Sequence, residues 1–113
     1  DLGNSRAWPE TDVAEDLENN MADVAAVHLK DTLAVTPTFK GQFKEVPFGK
    51  GCVDFEGCLR LLTRLEYAGS YTIEMWTGTA DDAIGEVKQA KKFFDDLFKK
   101  VGIEQEPIAS LAQ

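Results

Sequence analysis

The sequence predicts an α/β protein with parallel strands. Two short runs of β-forming residues, 24–29 and 71–76, alternate with three stretches of helical periodicity, and this alternation is typical of parallel sheets covered by helices. Two strands make only a thin sheet, so the pattern describes a piece of a larger fold. We expect residues 1–103 to form this α/β unit and residues 104–113, which lack clear periodicity, to form a tail.

The first half of the chain is predicted to contain one helix and one strand. A turn region follows the opening Asp-Leu-Gly-Asn and leads to a helix over residues 11–20, in which Val13 and Leu17 lie four positions apart on one face. Residues 24–29 are small, β-branched or apolar except for His28. A continuous run of this kind predicts a strand that is buried on both faces.

A long connection and a second helix come next. Residues 31–53 are rich in Thr, Pro, Gly and Lys, and a connection of this length indicates a functional or mobile loop. Asp54 is the predicted N-cap of a helix that ends at Gly69. Its predicted core face consists of Phe55, Cys58, Leu62 and Leu65.

The last strand and the last helix complete the unit. Residues 71–76 are predicted as the second strand because they are rich in β-formers. The final helix opens within residues 79–82 and closes at Lys99, Lys100 and Gly102. Its apolar stripe is predicted to consist of Ile84, Val87, Ala90, Phe94, Leu97, Phe98 and Val101.

Composition narrows the class of partner. Twelve basic against twenty acidic residues give a net charge of −8, which argues against a nucleic-acid partner. The opening residues do not resemble a secretory signal, and no apolar run is long enough to cross a bilayer, so we expect no membrane partner. Cys52 and Cys58 lack metal-site or redox-motif spacing and are expected to be reduced, as is usual in the cytoplasm.

Three polar residues stand where chemistry is expected. Asp1 opens the chain before a turn, His28 lies near the end of the first strand, and Glu74 lies in the second strand close to its end. Because the carboxyl ends of parallel strands converge on the ligand, these residues are candidate ligands for one divalent cation, and Zn, Mn, Mg and Co all suit this donor set. The alternatives are a hydrogen-bonded core His28 and a Glu74 that is neutralised by a nearby cation.

Four blocks of sequence carry a family resemblance. They are Asp-Leu-Gly-Asn with Ala7 and Trp8, then His-Leu-Lys-Asp at residues 28–31, then Pro-Phe-Gly-Lys-Gly-Cys-Val-Asp-Phe at residues 47–55, and Ile-Glu-Met-Trp at residues 73–76. This succession resembles the C-terminal part of the L-ribulose-5-phosphate (L-xylulose-5-phosphate) 3-epimerases, often labelled hexulose-6-phosphate isomerases. That family belongs to the xylose-isomerase-like barrel superfamily.

The resemblance implies a fold and a metal site. The fold is the C-terminal portion of a (β/α)8 TIM barrel, about its last three β/α units, which is incomplete as a barrel by itself. The family binds one divalent metal through two Glu, one Asp and one His. By position, Asp1, His28 and Glu74 match three of these ligands, and the remaining Glu belongs to a strand upstream of Asp1.

The resemblance also implies the reaction, which is C3 epimerisation of a ketopentose 5-phosphate through an enediolate, with Glu74 as an acid–base residue as well as a ligand. Candidate substrate contacts are Lys30, Lys50, Trp8 and Trp76, with solvated lysines and packing aromatics as the alternatives. Residues 48–51 either hold phosphate through backbone amides or form a tight turn, which we favour. Asp31 is expected to be a turn residue or to support the site.

Alternative functions remain open on the sequence alone. They are an aldose–ketose isomerase of a hexulose 6-phosphate, a free-ketose 3-epimerase on the same barrel, and a non-catalytic truncated fragment that self-associates. The expected partner is a small sugar phosphate. We expect the isolated chain to self-associate because of its exposed sheet edges, with a homo-oligomer as the candidate state of the longer parent.

Overall fold

The computed structural model describes residues 1–78 and 81–105. Along the chain, the regular elements are α1 (Leu2–Arg6), α2 (Val13–Asn20), a 3₁₀ turn (Met21–Asp23), β1 (Val27–Leu29), α3 (Phe55–Arg64), β2 (Tyr71–Ile73) and α4 (Ala83–Val101). The predicted order of helices and strands is confirmed, with α1 as an addition. Most of the predicted tail and the predicted opening at Thr79 lie outside the described residues.

The two strands form a parallel pair, as predicted. Val27 lies opposite Tyr71 and Leu29 lies opposite Ile73. The backbone N–H of Glu74 donates to the carbonyl of Leu29 at 2.9 Å, so the hydrogen-bond ladder continues one residue past β2. The strands are three residues long and shorter than the six predicted for each, because the parallel register covers only Val27–Leu29 and Tyr71–Ile73.

One face of the sheet is covered and the other is open. Val27 and Leu29 are buried, whereas His28 between them is exposed, as expected where successive side chains point to opposite faces. The prediction that β1 is buried on both faces is therefore wrong for the described residues. The core on the covered face contains Leu29, Leu59, Leu62, Phe94 and Phe98.

Each of the four helices differs from the predictions in one detail. Asp1 caps α1 where a turn was expected, α2 begins at Val13 with Asp12 as its cap, and α3 ends at Arg64 instead of Gly69. The apolar stripe of α4 is buried or packed from Ala90 onward, but Ile84 and Val87 are 72% and 50% exposed. No described element covers the first two turns of α4 on this side.

The connection between β1 and α3 is folded back on itself. Leu33 pairs with Gln42, and Thr36 pairs with Phe39, in isolated antiparallel bridges. The second half of the connection packs the Phe48 ring against Phe94 at a centroid distance of 4.8 Å. Among residues 1–78 and 81–105, no helix is long and apolar enough to span a membrane.

Candidate metal centre

The structure brings the three candidate ligands together. One ligand atom each from Asp1, His28 and Glu74 can be chosen so that all three lie within 4.8 Å of one another. Oxygen and nitrogen ligands lie about 2.0 to 2.6 Å from a divalent cation, so two ligands of one ion are less than about 5 Å apart. Two carboxylates and an imidazole in this arrangement therefore fit a single divalent cation.

Strand pairing accounts for two of these positions. His28 lies opposite Thr72 in the parallel register, and Glu74 lies two residues beyond Thr72, so the side chains of His28 and Glu74 point to the same face of the sheet. His28 Nδ1 is 3.4 Å from Glu74 Oε2. Glu74 was predicted to lie within the second strand, but it directly follows the end of β2. Its side chain is 31% exposed.

Helix α1 brings Asp1 to the same place. Oδ1 of the Asp1 carboxylate accepts a hydrogen bond from the N–H of Asn4 at 2.8 Å. The other carboxylate oxygen is therefore available to a cation. A Cβ at Gly3 would lie 2.4 Å from the carbonyl oxygen of Lys30. The Thr32 hydroxyl also donates to the Gly3 carbonyl at 2.7 Å. Only glycine at this position lets α1 dock against the end of β1.

Lys30 places a positive charge beside the Glu74 carboxylate. Its ammonium group is 3.5 Å from Glu74 Oε1, and the residue is only 7% exposed. The Glu74 carboxylate thus faces His28 with one oxygen and Lys30 with the other. Lys30 is thus a cation that can neutralise Glu74 without a metal. Only the clustering of Asp1, His28 and Glu74, and not an unpaired charge, favours a metal.

A cavity of about 590 Å³ adjoins the centre. Lys30, Glu74 and Trp76 line it on the strand side, and Phe48 lines it from the long connection. Trp76 also lies under the ammonium group of Lys44, which is 4.3 Å from the ring centroid. Helix α4 adds four residues to the wall that were not predicted as site residues, which are Glu86, Gln89, Ala90 and Phe93.

The other two candidate substrate contacts lie elsewhere. Trp8 does not line this cavity; it is 47% exposed and packs on Phe43, with ring centroids 6.2 Å apart. Lys50 is exposed and is not a lining residue. The structure therefore gathers Lys30 and Trp76 beside Glu74, but not Lys50 and Trp8.

The glycine-rich segment that was weighed as a phosphate cradle has another partner. The N–H groups of Gly49 and Gly51 donate to Asp31 Oδ2 at 2.9 and 3.0 Å. Because a side chain of the protein accepts these hydrogen bonds, they are not free for a phosphate. The arrangement favours the tight-turn interpretation. Asp31 does more than form a local turn, because its side chain holds this distant segment by hydrogen bonds.

Comparison with known proteins identifies the family. The profile of the xylose isomerase-like TIM barrel family matches residues 1–97, and the chain belongs to this family. The described residues form a small α/β piece, which is consistent with part of such a barrel.

Individual relatives bear epimerase names. The chain is 44% identical over 103 residues to "Putative L-ribulose-5-phosphate 3-epimerase SgbU" of Haemophilus influenzae, a match covering 91% of this chain and 36% of that protein. It is 44% identical over 102 residues to the protein of the same name from Escherichia coli K12, covering 90% of this chain and 35% of that protein.

A third relative, L-ribulose-5-phosphate 3-epimerase UlaE of Escherichia coli ATCC 8739, is 42% identical over 103 residues, which cover 91% of this chain and 34% of that protein. The resemblance inferred from the sequence blocks is thereby confirmed. The chain spans about a third of the length of the curated relatives it matches.

Proposed function

We propose that this chain is part of a divalent-metal-dependent isomerase that epimerises C3 of a ketopentose 5-phosphate, with L-ribulose 5-phosphate and L-xylulose 5-phosphate as the substrate pair. The observation that carries the proposal is the cluster of Asp1, His28 and Glu74 beside a cavity. Similarity to proteins named L-ribulose-5-phosphate 3-epimerase supports the choice of substrate.

The proposed reaction needs a base, an acid and a way to hold negative charge. Removing the proton next to a carbonyl produces an enediolate, and inversion requires that a proton return on the opposite face. Glu74 is proposed as one of the two acid–base residues because its carboxylate lies at the junction of the ligand cluster and the cavity. The second residue is proposed to come from a strand that is not among the described residues.

Asp1, His28 and Glu74 would hold the cation, and Zn, Mn, Mg and Co suit them equally. Such an ion supplies Lewis acidity for the negative charge that develops on substrate oxygens. Lys30 is proposed to fix the Glu74 carboxylate through their 3.5 Å contact and to bind a substrate oxygen. Trp76 is proposed as an apolar wall for the sugar. Lys50 and Trp8 stay sequence-based predictions without a structural argument.

Several consequences follow for the protein as a whole. With three of four expected ligands and one of two acid–base residues, the isolated chain is proposed to carry only part of the active site and not to epimerise by itself. The complete enzyme is proposed to act in the cytoplasm on a small sugar phosphate, without nucleic-acid or membrane partners, and as a homo-oligomer.

Proton exchange tests the reaction directly. L-Ribulose 5-phosphate is incubated in heavy water with Mn²⁺ and either this chain or the complete gene product, and deuterium at C3 is followed by NMR. In the complete protein we expect exchange that stops with EDTA and falls about a hundredfold or more in Glu74→Gln, while the matched change Glu18→Gln on the exposed side of α2 keeps it. The isolated chain is expected to show no exchange. Absence of exchange in the complete protein contradicts the proposal.

Parallel substrates separate the remaining enzyme classes. Exchange with the unphosphorylated ketose but not with the phosphate ester would indicate a free-ketose epimerase. Formation of an aldose from a hexulose 6-phosphate would indicate an aldose–ketose isomerase.

A further inference from the structure

The strongest observation that the proposed reaction does not use is the environment of Asp31. This residue is 3% exposed, and its carboxylate accepts four backbone hydrogen bonds. Oδ1 accepts from Thr32 at 3.0 Å and from Val53 at 3.3 Å, and Oδ2 accepts from Gly49 at 2.9 Å and from Gly51 at 3.0 Å. One side chain at the end of β1 thus holds three residues of a segment about twenty positions away.

The fit between Asp31 and this segment is close. A Cβ at Gly51 would lie 2.1 Å from Asp31 Oδ1 and 2.3 Å from the carbonyl oxygen of Thr32, so a larger residue would push the segment away. The N–H of Cys52 donates to the same Thr32 carbonyl at 2.8 Å. Hydrogen bonds that a carboxylate accepts from backbone N–H groups are among the stronger ones in proteins.

The segment that Asp31 holds, residues 49–53, directly follows residues that form part of the cavity wall. Val46, Pro47 and Phe48, which precede Gly49, line the cavity beside Glu74. On its other side the Phe48 ring packs against Phe55 and Phe94, with centroids 5.7 and 4.8 Å away. Asp31 lines the same cavity, so this wall is fixed by apolar packing at Phe48 and by the hydrogen bonds of the Asp31 carboxylate to the residues that follow it. Asp31 is outside the group of clustered candidate ligands.

We propose that Asp31 is a positioning residue that sets the substrate-binding wall formed by residues 46–48, and that it takes no part in cation binding. This inference rests on the proposed function for the identity of the ligand. In Asp31→Asn, an NH₂ group replaces one acceptor oxygen and faces two backbone N–H groups, so two of the four hydrogen bonds are lost and the wall is released.

Three measurements on Asp31→Asn test the proposal, with Asp96→Asn on the exposed face of α4 as the matched control. Amide hydrogen exchange at residues 49, 51 and 53 should accelerate at least about tenfold, while the amides of β1 keep their protection. Mn²⁺ affinity should stay within about twofold of wild type, because no ligand is removed. Affinity for L-ribulose 5-phosphate should fall about tenfold, measured by titration calorimetry and as KM in the complete protein, with kcat nearly unchanged.

The outcomes are separable. Unchanged exchange at residues 49–53, unchanged sugar-phosphate affinity, or a loss of Mn²⁺ binding as large as in Glu74→Gln would overturn the proposal. If Asp31→Asn does not fold, Gly51→Ala perturbs the same hydrogen bonds from the other side and should produce the same three results. A wild-type protein that binds no L-ribulose 5-phosphate contradicts the proposed function instead, and the exchange data still decide whether Asp31 holds the wall.

Discussion

At the residue scale, the candidate centre depends on side chains that perform two tasks at once. Asp1 caps α1 with one carboxylate oxygen, and its other oxygen is proposed to bind the cation. Glu74 contacts His28 and Lys30 with different oxygens, while its N–H extends the strand ladder. Each position is therefore fixed by the backbone before any ligand binds, and this kind of preorganisation limits the cost of assembling a site.

Cys58 gives a pH-dependent prediction at this scale. Burial, with the nearby charge of Asp54 as a smaller cause, raises the pKa of its thiol from 9.0 to about 11. At pH 8 the thiolate population is thus about a hundredfold below that of an unperturbed thiol, and the thiolate is the reactive form. We expect Cys58 to be alkylated by iodoacetamide very slowly in the folded chain, with the rate rising as pH approaches 11.

Mass spectrometry of labelled peptides measures this rate, and the urea-unfolded chain serves as the control. The sign for stability follows from the same pKa: the folded state keeps its proton where the unfolded state loses it, so Cys58 lowers stability as pH rises from about 9 to 11. Labelling of native Cys58 as fast as in urea would contradict the burial of the thiol.

The sequence identified some site residues better than others. His28 and Glu74 stand out because burying a polar side chain in an apolar strand costs free energy unless a partner or a metal compensates. Asp1 was the weakest of the three candidates by position alone, since a first-position Asp has no distinctive pattern, and the family resemblance strengthened it. The full part played by Asp31 was not predictable because its partners Gly49, Gly51 and Val53 come from a loop, and loop closure leaves no periodic signal.

At the element scale, the helices begin at aspartates. Asp54 and Asp82 accept hydrogen bonds from the N–H groups of Gly57 and Gly85, three residues on. The Asp54 cap was predicted from the sequence, whereas for α4 only an opening within residues 79–82 was predicted. The long helices α3 and α4 were themselves predicted from their apolar periodicity. Exact strand ends were not, because pairing decides them, and the five-residue α1 is stabilised by docking against Lys30 and Thr32 instead of by propensity.

The cap of α4 provides the prediction at this scale. Asp82 Oδ1 accepts from the N–H of Gly85 at 2.9 Å, and losing an N-cap of this kind costs about 1 kcal/mol. Asp82→Ala should lower the free energy of unfolding by that amount in urea denaturation. The control Asp96→Ala, which removes an exposed ion pair with Lys92, should cost less than about 0.5 kcal/mol. Equal effects of the two changes would contradict the capping role.

At the scale of the whole molecule, the described residues leave surface without a partner. The sheet has two strands, so each has an outer edge that no third strand among residues 1–78 and 81–105 pairs with. Ile84 and Val87 on α4 are exposed as well. The α/β pattern alone predicted that the chain is a piece of a larger fold. It could not supply the barrel, which came from the family resemblance.

These surfaces lead to a prediction about association. Open strand edges and exposed aliphatic side chains favour self-association of the isolated chain. Sedimentation equilibrium over a concentration series should give a mass above the 12.5 kDa of one chain, and Ile84→Lys with Val87→Lys should lower it. A single species at the monomer mass at every concentration would contradict this expectation.

Mn²⁺ binding to the isolated chain, followed by electron paramagnetic resonance, tests the central claim most directly. The account predicts one Mn²⁺ site whose affinity falls at least about tenfold in His28→Gln and in Glu74→Gln, and not in the matched control Glu18→Gln. Equal Mn²⁺ affinity in all four proteins, or no bound Mn²⁺ in any of them, would contradict the assignment of Asp1, His28 and Glu74 as a metal centre.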